Sequence, residues 1–350
     1  MAKIRTGQAT GELRAITIKD VAARAGVGLG TVSRVLNGNA NVAPQSRDQV
    51  LRAIEDLGYR PNSVARSMRL GKSHAVGCLV TDIRQPIAAE MIAAAENTLR
   101  RAGYTLIVAS THFDDRREAE ILSLMQNRVV DGMLLAVNRD DDPKTTQRLA
   151  AIDIPMVLWE RSPDGGFDTV LTEHRAGVRS ATEHLLDLGH RDVALVAGHL
   201  DTWVGREQRA GFDAAFTDRG LYPPAGRIFE VGRFGARKLE ACCRGKRPIT
   251  AIIANIDEIP DILHFCVKRD LVLPRDLSII SIGDASILEV MTPPITAVRG
   301  DGTKVAQLAA NLLLKKMSDN KPESAYERLS VRMQLKIRQS TMSPAKHSRD

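Results

Sequence analysis

The chain has 350 residues, a net charge of +7, 43% apolar residues and 4% aromatic residues. This length favours two or three domains, and so few aromatic side chains argue against a stacking platform for single-stranded nucleic acid. The first 72 residues hold twelve Lys or Arg and five Asp or Glu, whereas the remainder holds 37 of each kind. The net charge therefore lies at the amino-terminal end, as in a polyanion-binding head on a neutral body. Charge alone would also fit a solvated basic tail.

Three helical patterns follow a basic tail, residues 1–15, that we predict to be disordered. They cover residues 18–25, 29–37 and 44–57, and each places its apolar residues on one face. Thr17 is a natural N-cap for the first, with Asp20 placed almost as in a capping box. The spacing predicts a helix-turn-helix over residues 16–60. Residues 61–73 then read as a linker containing a conditional helix.

Beyond residue 74, apolar strand-like runs alternate with helical patterns. The predicted strands are 75–81, 105–110, 132–136, 155–158, 193–197, 251–254 and 278–282. The predicted helices include 88–101, 116–127, 176–188, 206–219, 259–269 and 302–316. Nearly continuous apolar strands separated by helices are typical of parallel α/β sheets. Ten or more such strands exceed one compact sheet, so we expect two doubly wound lobes with a ligand cleft at the carboxyl ends of their strands.

The sequence lacks the usual motifs of catalysis, metal binding and membrane insertion. The sequence has no G-x-S-x-G elbow, H-E-x-x-H pair or P-loop, and its four cysteines form no C-x-x-C pair. The stretch 26–30 is rich in glycine but follows a helix, which argues against a nucleotide loop. The start is polar, and no apolar run approaches the roughly 18–20 residues that span a bilayer. We therefore expect a cytoplasmic protein that is not an enzyme, has no cofactor or metal and does not contact a membrane.

The head and linker closely resemble the lactose/purine repressor (LacI-type) family of bacterial transcriptional regulators. The matching residues are Thr17-Ile18-x-Asp20-Val21-Ala22, Ala25-Gly26-Val27, Thr31-Val32-Ser33-Arg34-Val35-Leu36-Asn37, Gly58-Tyr59-x-Pro61-Asn62 and Ala65-Arg66-Ser67. Weaker similarity continues to about residue 338. The resemblance implies a helix-turn-helix head, a hinge helix that folds on DNA, and a body like a periplasmic sugar-binding protein that dimerises.

Carried over by position, the resemblance gives each DNA-binding residue a role. Leu29, Gly30 and Arg34 would face base edges, and Arg34 has the chemistry for two hydrogen bonds to guanine. The residues that would position the phosphate backbone are Thr17, Thr31, Ser33, Asn37 and Tyr59. In the hinge, Asn62, Ala65 and Met68 would lie against DNA, with Met68 as an apolar wedge in the minor groove. Gly28 departs from the family, which usually has a Ser N-cap there.

The effector pocket departs further from the family pattern. Ile87 stands where aromatic residues are common, and Gln208 stands where an Arg usually grips the effector, with Arg206 and Arg209 nearby. Gly283 replaces a hydroxyl-binding Asp, and Asp284 follows it. The other candidate effector contacts are Arg161, Trp203, Phe234 and Asp257. We expect a small polar ligand such as a sugar or sugar acid.

These inferences predict an α/β protein with an all-α head: a ligand-responsive regulator that binds a pseudo-palindromic operator in double-stranded DNA as a homodimer, with a tetramer left open. The effector domain would span residues 74–340, before a short tail at 341–350. Its first lobe would take about 74–172 and 302–331, and its second about 173–298 and 332–340. A periplasmic binding protein would explain the body but not the basic head. A nonspecific architectural DNA protein remains an alternative, marked by equal affinity for operator and random DNA.

Overall fold

The computed structural model describes residues 16–36, 41–59, 72–127, 129–232, 235–244, 247–318 and 325–344. The chain divides into two compact units, one ending at Ser73 and the other beginning at His74. We call the first unit the head and the second the body, and describe each by itself.

The head contains three helices around a small apolar core. They are α1 Ile18–Ala25, α2 Leu29–Leu36 and α3 Pro44–Leu57. Each contributes one fully buried valine, namely Val21, Val32 and Val50. Thr17 caps α1 through a capping box, in which its amide and its hydroxyl both donate to Asp20 Oδ2 at 2.7 Å. Sequence and structure therefore agree on how this helix begins.

Glycines end two helices of the head. Gly26 follows α1 with φ +64°, and Gly58 follows α3 with φ +59°. This left-handed conformation closes a helix at little cost only when the residue has no Cβ. Ala43 precedes α3 without a side-chain cap, and Pro44 occupies the first turn, where its missing N–H costs nothing. The turn between α1 and α2 is thus set by a glycine, as the sequence predicts.

The body contains twelve strands within the described residues. In chain order they are β1 Ala75–Val80, β2 Thr105–Ser110, β3 Gly132–Leu135, β4 Met156–Trp159, β5 Thr169–Thr172, β6 Val193–Ala197, β7 Ile228–Glu230, β8 Ala251–Asn255, β9 Ser278–Ile282, β10 Thr296–Gly300, β11 Arg328–Val331 and β12 Met333–Lys336. The helices between them are α4 Pro86–Arg101, α5 Asp115–Gln126, α6 Pro143–Ala150, α7 His174–Asp187, α8 Trp203–Thr217, α9 Gly235–Arg244, α10 Ile259–Lys268, α11 Ser286–Val290 and α12 Gly302–Ser318, with a 3₁₀ turn at Ile256–Glu258.

Two six-stranded sheets define the two lobes. Lobe 1 has the strand order β11-β5-β4-β3-β1-β2, and lobe 2 has the order β12-β10-β9-β8-β6-β7. Neighbouring strands run parallel, except that β12 runs antiparallel to β10. The chain crosses between the lobes at 172–174, 300–302 and 331–333. Carboxyl ends of parallel strands lie at one edge of a sheet, so both lobes offer loop residues for a ligand.

Helices cover both faces of each sheet. In β1, Val76 and Cys78 pack with α4 and α12 on one face, whereas Leu79 packs with α5 and α6 on the other. In lobe 2, Phe212 of α8 and Ile262 of α10 belong to the cores on opposite faces. Burial on both faces explains why the central strands are apolar throughout. The expected architecture of two doubly wound lobes is confirmed.

Sequence patterns did not predict β5, β7, β10, β11 and β12. Of these, β7, β11 and β12 lie at sheet edges, whereas β5 and β10 are inner and largely buried strands. β11 and β12 alternate half-buried with exposed residues, and β7 has only three residues. The helices α6, α9 and α11 were likewise not predicted. Short half-exposed elements carry too few apolar residues to establish a period.

Within the described residues, no helix is long and apolar enough to cross a membrane.

We expect lobe 2 to lose stability as the pH falls below about 6.5. His190 is almost fully buried; its Nε2 lies 2.8 Å from the Met342 carbonyl, and its Nδ1 lies 2.8 Å from Thr250 Oγ1. The carbonyl can only accept, so Nε2 carries the proton and Nδ1 accepts from the hydroxyl. Burial, followed by the nearby charge of His184 and Arg191, lowers the pKa of His190 from its ordinary value of 6.5. Folding therefore favours the neutral ring.

The sign follows from proton linkage. At a pH between the folded and the unfolded pKa of His190, the unfolded chain holds a proton on this ring that the folded protein lacks. The stability from the neutral ring is therefore complete above pH 6.5 and declines as the pH falls towards the lower folded pKa. Urea unfolding at pH 7.5 and pH 5.5 measures the loss. His190→Gln, which keeps a donor for the Met342 carbonyl, should flatten the pH dependence. The exposed His264 provides the control, because H264Q should leave the slope unchanged. An equal slope in all three proteins would contradict the prediction.

Candidate functional site

The second helix of the head presents an exposed face. Leu29 is 46% exposed, Gly30 and Arg34 are also exposed, and Arg34 Nε donates to the Gly30 carbonyl of its own helix at 3.2 Å. Val32 and Val35 hold the opposite side of α2 in the core. The apolar side of the helix therefore fixes which residues face outwards. Leu29, Gly30 and Arg34 form one surface, which we call the α2 face.

The predicted phosphate contacts that the structure describes surround this face. Thr31, Ser33 and Tyr59 are half-buried, and Tyr59 packs against the head core. Thr17 is exposed, but its hydroxyl is bonded to Asp20. Capping is thus an established role of Thr17, and phosphate contact by its side chain remains a prediction. Asn37, Asn62, Ala65 and Met68, which include the predicted minor-groove wedge, lie outside the described residues, as does Phe234.

The body encloses a cavity of about 540 Å³ between the carboxyl edges of its two sheets. Loops after β1, β4, β6, β8 and β9 all contribute to its lining, so both lobes form its walls. Of the predicted effector residues, the cavity is lined by Ile87, Arg161, Gln208, Asp257 and Asp284. The structure thus gathers five residues that are distant in sequence at one cleft.

A half-buried acid lies at the end of β4. Glu160 Oε1 accepts the Thr172 hydroxyl at 2.6 Å, and its Oε2 lies 2.6 Å from His174 Nε2. Burial raises the pKa of Glu160, but the neighbouring His174, Thr172 and Arg161 outweigh burial and lower it overall. Glu160 also has φ +54°, a conformation that costs free energy in a residue with a side chain. The surrounding contacts hold a charged carboxylate in this position at the cavity wall.

Arg161 is fixed beside that acid. Its Nε donates to the Val137 carbonyl at 2.5 Å and its Nη1 to the Glu160 carbonyl at 2.7 Å. Burial lowers the pKa of Arg161, and the nearby Asp140 carboxylate opposes that shift. An arginine held by two carbonyls is rigid, so it offers a ligand a donor of fixed direction.

Gln208 and Asp257 provide polar groups from lobe 2. Gln208 is 1% exposed, and its Oε1 accepts from the Gly198 amide at 2.7 Å. That bond orients the side-chain amide, because the oxygen is already engaged. Burial, followed by the charges of Asp82 and Glu258, raises the pKa of Asp257. A ligand that donates a hydrogen bond to Asp257 would relieve this unfavourable placement of its charge.

Asp284 lines the cavity but is already paired. Arg338 donates to both of its oxygens, at 3.0 and 2.8 Å, and Lys336 Nζ lies 3.3 Å away. Burial raises the pKa of Asp284, but these two cations lower it overall. A carboxylate engaged by a bidentate arginine has little capacity left for a ligand.

Two predicted effector residues lie outside the cavity lining. Trp203 begins α8, borders a separate shallow groove, and meets the ring of His174 edge-on, with ring centroids 5.8 Å apart. Arg206 turns towards lobe 1, where its Nη2 donates to Asp140 at 3.1 Å. Trp203 was expected on a loop but begins α8, and Arg206 lies in the same helix; helix phase turns both side chains away from the cavity.

Several cavity residues escaped the sequence analysis. Glu160, His174, His199, Phe113 and Trp159 all line the cavity. Each lies at or just beyond the carboxyl end of a strand or at a crossing between lobes, so strand ends could have identified them. His174 follows β5, a strand that was not predicted, and was therefore missed with it.

Each of the two units matches a known protein family. Residues 17–62 match the family described as bacterial regulatory proteins, lacI family. Residues 182–341 match the periplasmic binding protein-like domain. The first match covers α1 to α3 and the second covers most of lobe 2.

Full-length relatives are similar in both sequence and fold. The HTH-type transcriptional repressor PurR of Erwinia tasmaniensis is 33% identical over 316 residues, which cover 88% of this chain and 92% of that repressor. The ribose operon repressor of Escherichia coli K12 is 29% identical over 323 residues, covering 90% and 96%. Among solved structures, the lac repressor dimer bound to operator and the anti-inducer ONPF has a TM-score of 0.81 at 23% identity, covering 94% of this chain and all of that one. This last likeness concerns the fold.

Proposed function

The chain belongs to the lacI family of bacterial regulatory proteins and is a ligand-responsive, DNA-binding transcriptional regulator; on this premise we propose that it represses transcription as a homodimer on a pseudo-palindromic operator. A two-fold dimer would place two heads on half-sites about one helical turn apart. The similar protein PurR is named as a transcriptional repressor, which supports repression over activation.

The α2 face is the observation that carries the proposal for DNA. It combines an exposed arginine, Arg34, with the small Gly30 and the apolar Leu29. Arginine can read guanine through its O6 and N7, and a leucine can contact a thymine methyl. Gly30 has no side chain for readout and allows close approach. These three residues leave few hydrogen bonds for base readout, so we propose that DNA deformability contributes much of the specificity.

The cavity supports a small, partly apolar effector with several hydroxyl groups. Trp159, Phe113 and Ile87 supply apolar surface, while Glu160 and Asp257 supply acceptors. Arg299 also lines the cavity, but its charge is engaged by Glu90 at 3.0 Å. The carboxylates of Glu160 and Asp257 share these walls with Arg161, so we propose a neutral sugar over a sugar acid, with Arg161 donating to one of its oxygens. One similar protein is named for a ribose operon, which agrees with this ligand class.

Selection from random duplex DNA tests the DNA part of the proposal. Full-length protein is expected to enrich an inverted repeat, and to bind it roughly 10³-fold or more tightly than random duplex at the same salt concentration. Enrichment without symmetry would contradict dimeric operator binding. A specificity ratio near one would instead favour an architectural DNA protein.

A thermal-shift screen of neutral sugars, sugar acids and sugar phosphates tests the effector part. A hit present at 100 times its Kd adds about 2.7 kcal/mol to the stability of the body. Gln208→Met keeps the size of the buried side chain but removes its amide, and we expect it to weaken binding of such a hit about tenfold. Gln126, which bonds the Ala151 carbonyl in lobe 1, provides the matched control Q126M. Equal binding by both variants would place the effector elsewhere.

A further inference from the structure

A buried carboxylate joins the two lobes outside the effector cavity. Asp140 lies on the loop after β3 in lobe 1, and its side chain is 0% exposed. Its Oδ2 accepts from the Ser162 amide of its own lobe at 2.7 Å. Its Oδ1 accepts from the Trp203 amide at 2.8 Å and from Arg206 Nη2 at 3.1 Å, both in lobe 2. Two of these three donors therefore belong to the opposite lobe.

The Trp203 amide is a favourable partner for a negative charge. Trp203 is the first residue of α8, and amides at a helix N-terminus have no partner within the helix. The helix dipole adds to this attraction. Thr202 caps the Gly205 amide, and Asp140 supplies an acceptor for the amide of Trp203. Lobe 1 thus completes the capping of a helix that belongs to lobe 2.

Separating the lobes here would be costly. A buried carboxylate is tolerated only while hydrogen bonds and opposite charges replace its water. Shifting α8 by an ångström or two would take both lobe 2 donors beyond hydrogen-bond distance. Asp140 would keep the Ser162 amide and the nearby charge of Arg161. Arg206 would at the same time lose its bond to a buried carboxylate.

Neighbouring contacts cross between the lobes at the same place. Arg139 Nε lies 3.3 Å from Asp201 Oδ2, with both side chains partly exposed. The rings of Phe113 and His199 approach to 4.2 Å between centroids. Exposed ion pairs contribute little on their own, so the buried Asp140 is the strongest of these links.

We propose that Asp140, the Trp203 amide and Arg206 form an interlobe clasp that holds the cleft closed before any ligand binds. Asp140 and Arg206 are absent from the cavity lining, so the clasp does not require an effector. Asp140 is then a positioning residue: it fixes α8, which carries Gln208 into the cavity. A preformed cleft spares the effector the cost of closing the lobes. Any effect of the clasp on operator binding depends on the proposed function, whereas the closed cleft itself does not.

Tryptophan fluorescence measures closure directly. The chain has two tryptophans, and Trp159 lines the cavity while being 1% exposed. Trp203→Phe leaves Trp159 as the sole tryptophan, which is excited selectively at wavelengths that tyrosine does not absorb, and preserves the clasp, which uses only the backbone amide of residue 203. Acrylamide quenching of full-length protein in this background then reports opening of the cleft, with neither DNA nor effector present.

We expect Asp140→Asn to raise the quenching constant of Trp159 at least twofold. Asparagine keeps the size of the side chain but loses the charge, and its NH₂ group would meet a backbone donor. Arg206→Gln removes one of the two cross-lobe bonds and should raise the constant by a smaller factor. Asp141→Asn is the matched control, because Asp141 is 42% exposed and lies 3.9 Å from Arg206. It should leave quenching unchanged.

The outcomes separate a clasp from a merely structural role. Loss of stability alone would lower the unfolding temperature without exposing Trp159 in the folded protein at 20 °C. Unchanged quenching in folded Asp140→Asn would overturn the proposal, as would an equal rise in Asp141→Asn. If circular dichroism shows that Asp140→Asn does not fold, the test rests on Arg206→Gln. Unchanged quenching of Trp159 in that variant would overturn the clasp proposal. Since no DNA is present, failure of the clasp is distinguishable from failure of the proposed function.

Discussion

Replacing Arg34 with alanine is expected to reduce discrimination between operator and random DNA by roughly 30-fold or more while leaving the head folded. The side chain is exposed on the α2 face, and its bond to the Gly30 carbonyl is not needed by the core. A bidentate contact with guanine is worth about 1–3 kcal/mol of discrimination. A dimer on two half-sites loses this guanine contact twice, which amounts to about 2–6 kcal/mol of binding free energy. Operator binding should therefore weaken roughly 30-fold to 10⁴-fold.

The measurement is a titration of the selected operator and of random duplex at one fixed salt concentration. Arg34→Lys should recover part of the affinity but little of the specificity, because lysine cannot make the two-pronged contact. Arg52, exposed on α3, provides the control for lost positive charge. R52A should weaken both duplexes by a similar factor. If R34A weakened both equally, Arg34 would contact phosphate and base readout would lie elsewhere.

Gly211→Ala is expected to destabilise lobe 2 by about 3 kcal/mol, although alanine favours helices over glycine by about 1 kcal/mol. Gly211 lies in α8 where this helix packs against the backbone of Arg175 in α7. An added Cβ would lie 2.2 Å from the carbonyl oxygen of Arg175 and 3.0 Å from its carbonyl carbon. These atoms are backbone, so no rotamer change can make room, and the two helices must separate.

Thermal unfolding of the purified variant measures this cost, with an expected fall of roughly 5–12 °C in Tm. Arg209→Ala serves as the control in the same helix, since Arg209 is exposed and its pairing with Asp213 at 3.6 Å is peripheral. It should change Tm by about 2 °C or less. A G211A protein as stable as this control would show that the helices separate without penalty.

The central strands and the head helices were predictable because their residues carry strong local signals. β1, β6 and β9 are buried on both faces, and the matching apolar runs were assigned within one residue. Glycines and the capping box likewise fixed the ends of α1. By contrast, β11 and β12 depend on pairing with strands more than 150 residues and more than 30 residues away, respectively. No local pattern encodes such pairings.

The candidate site was predictable in location but only partly in chemistry. Gln208 was identified from its position in the family pattern and Arg161 from its loop, and both line the cavity. The orientations of Trp203 and Arg206 were not predictable from sequence position alone, because one turn of α8 decides which residues face the cavity and which face Asp140. Glu160 was missed, since its position depends on a left-handed backbone and on His174 from beyond the next strand.

The crossings between the lobes also constrain how the chain is completed during synthesis. One short segment, residues 328–336, supplies the edge strand β11 to lobe 1 and the edge strand β12 to lobe 2. Neither sheet can acquire its last strand until this segment leaves the ribosome. Growth from the amino terminus can assemble the central strands of each lobe in turn. Both sheets therefore gain their last strand together, late in synthesis. A truncation upstream of residue 328 would leave β5 in lobe 1 and β10 in lobe 2 as unpaired edge strands.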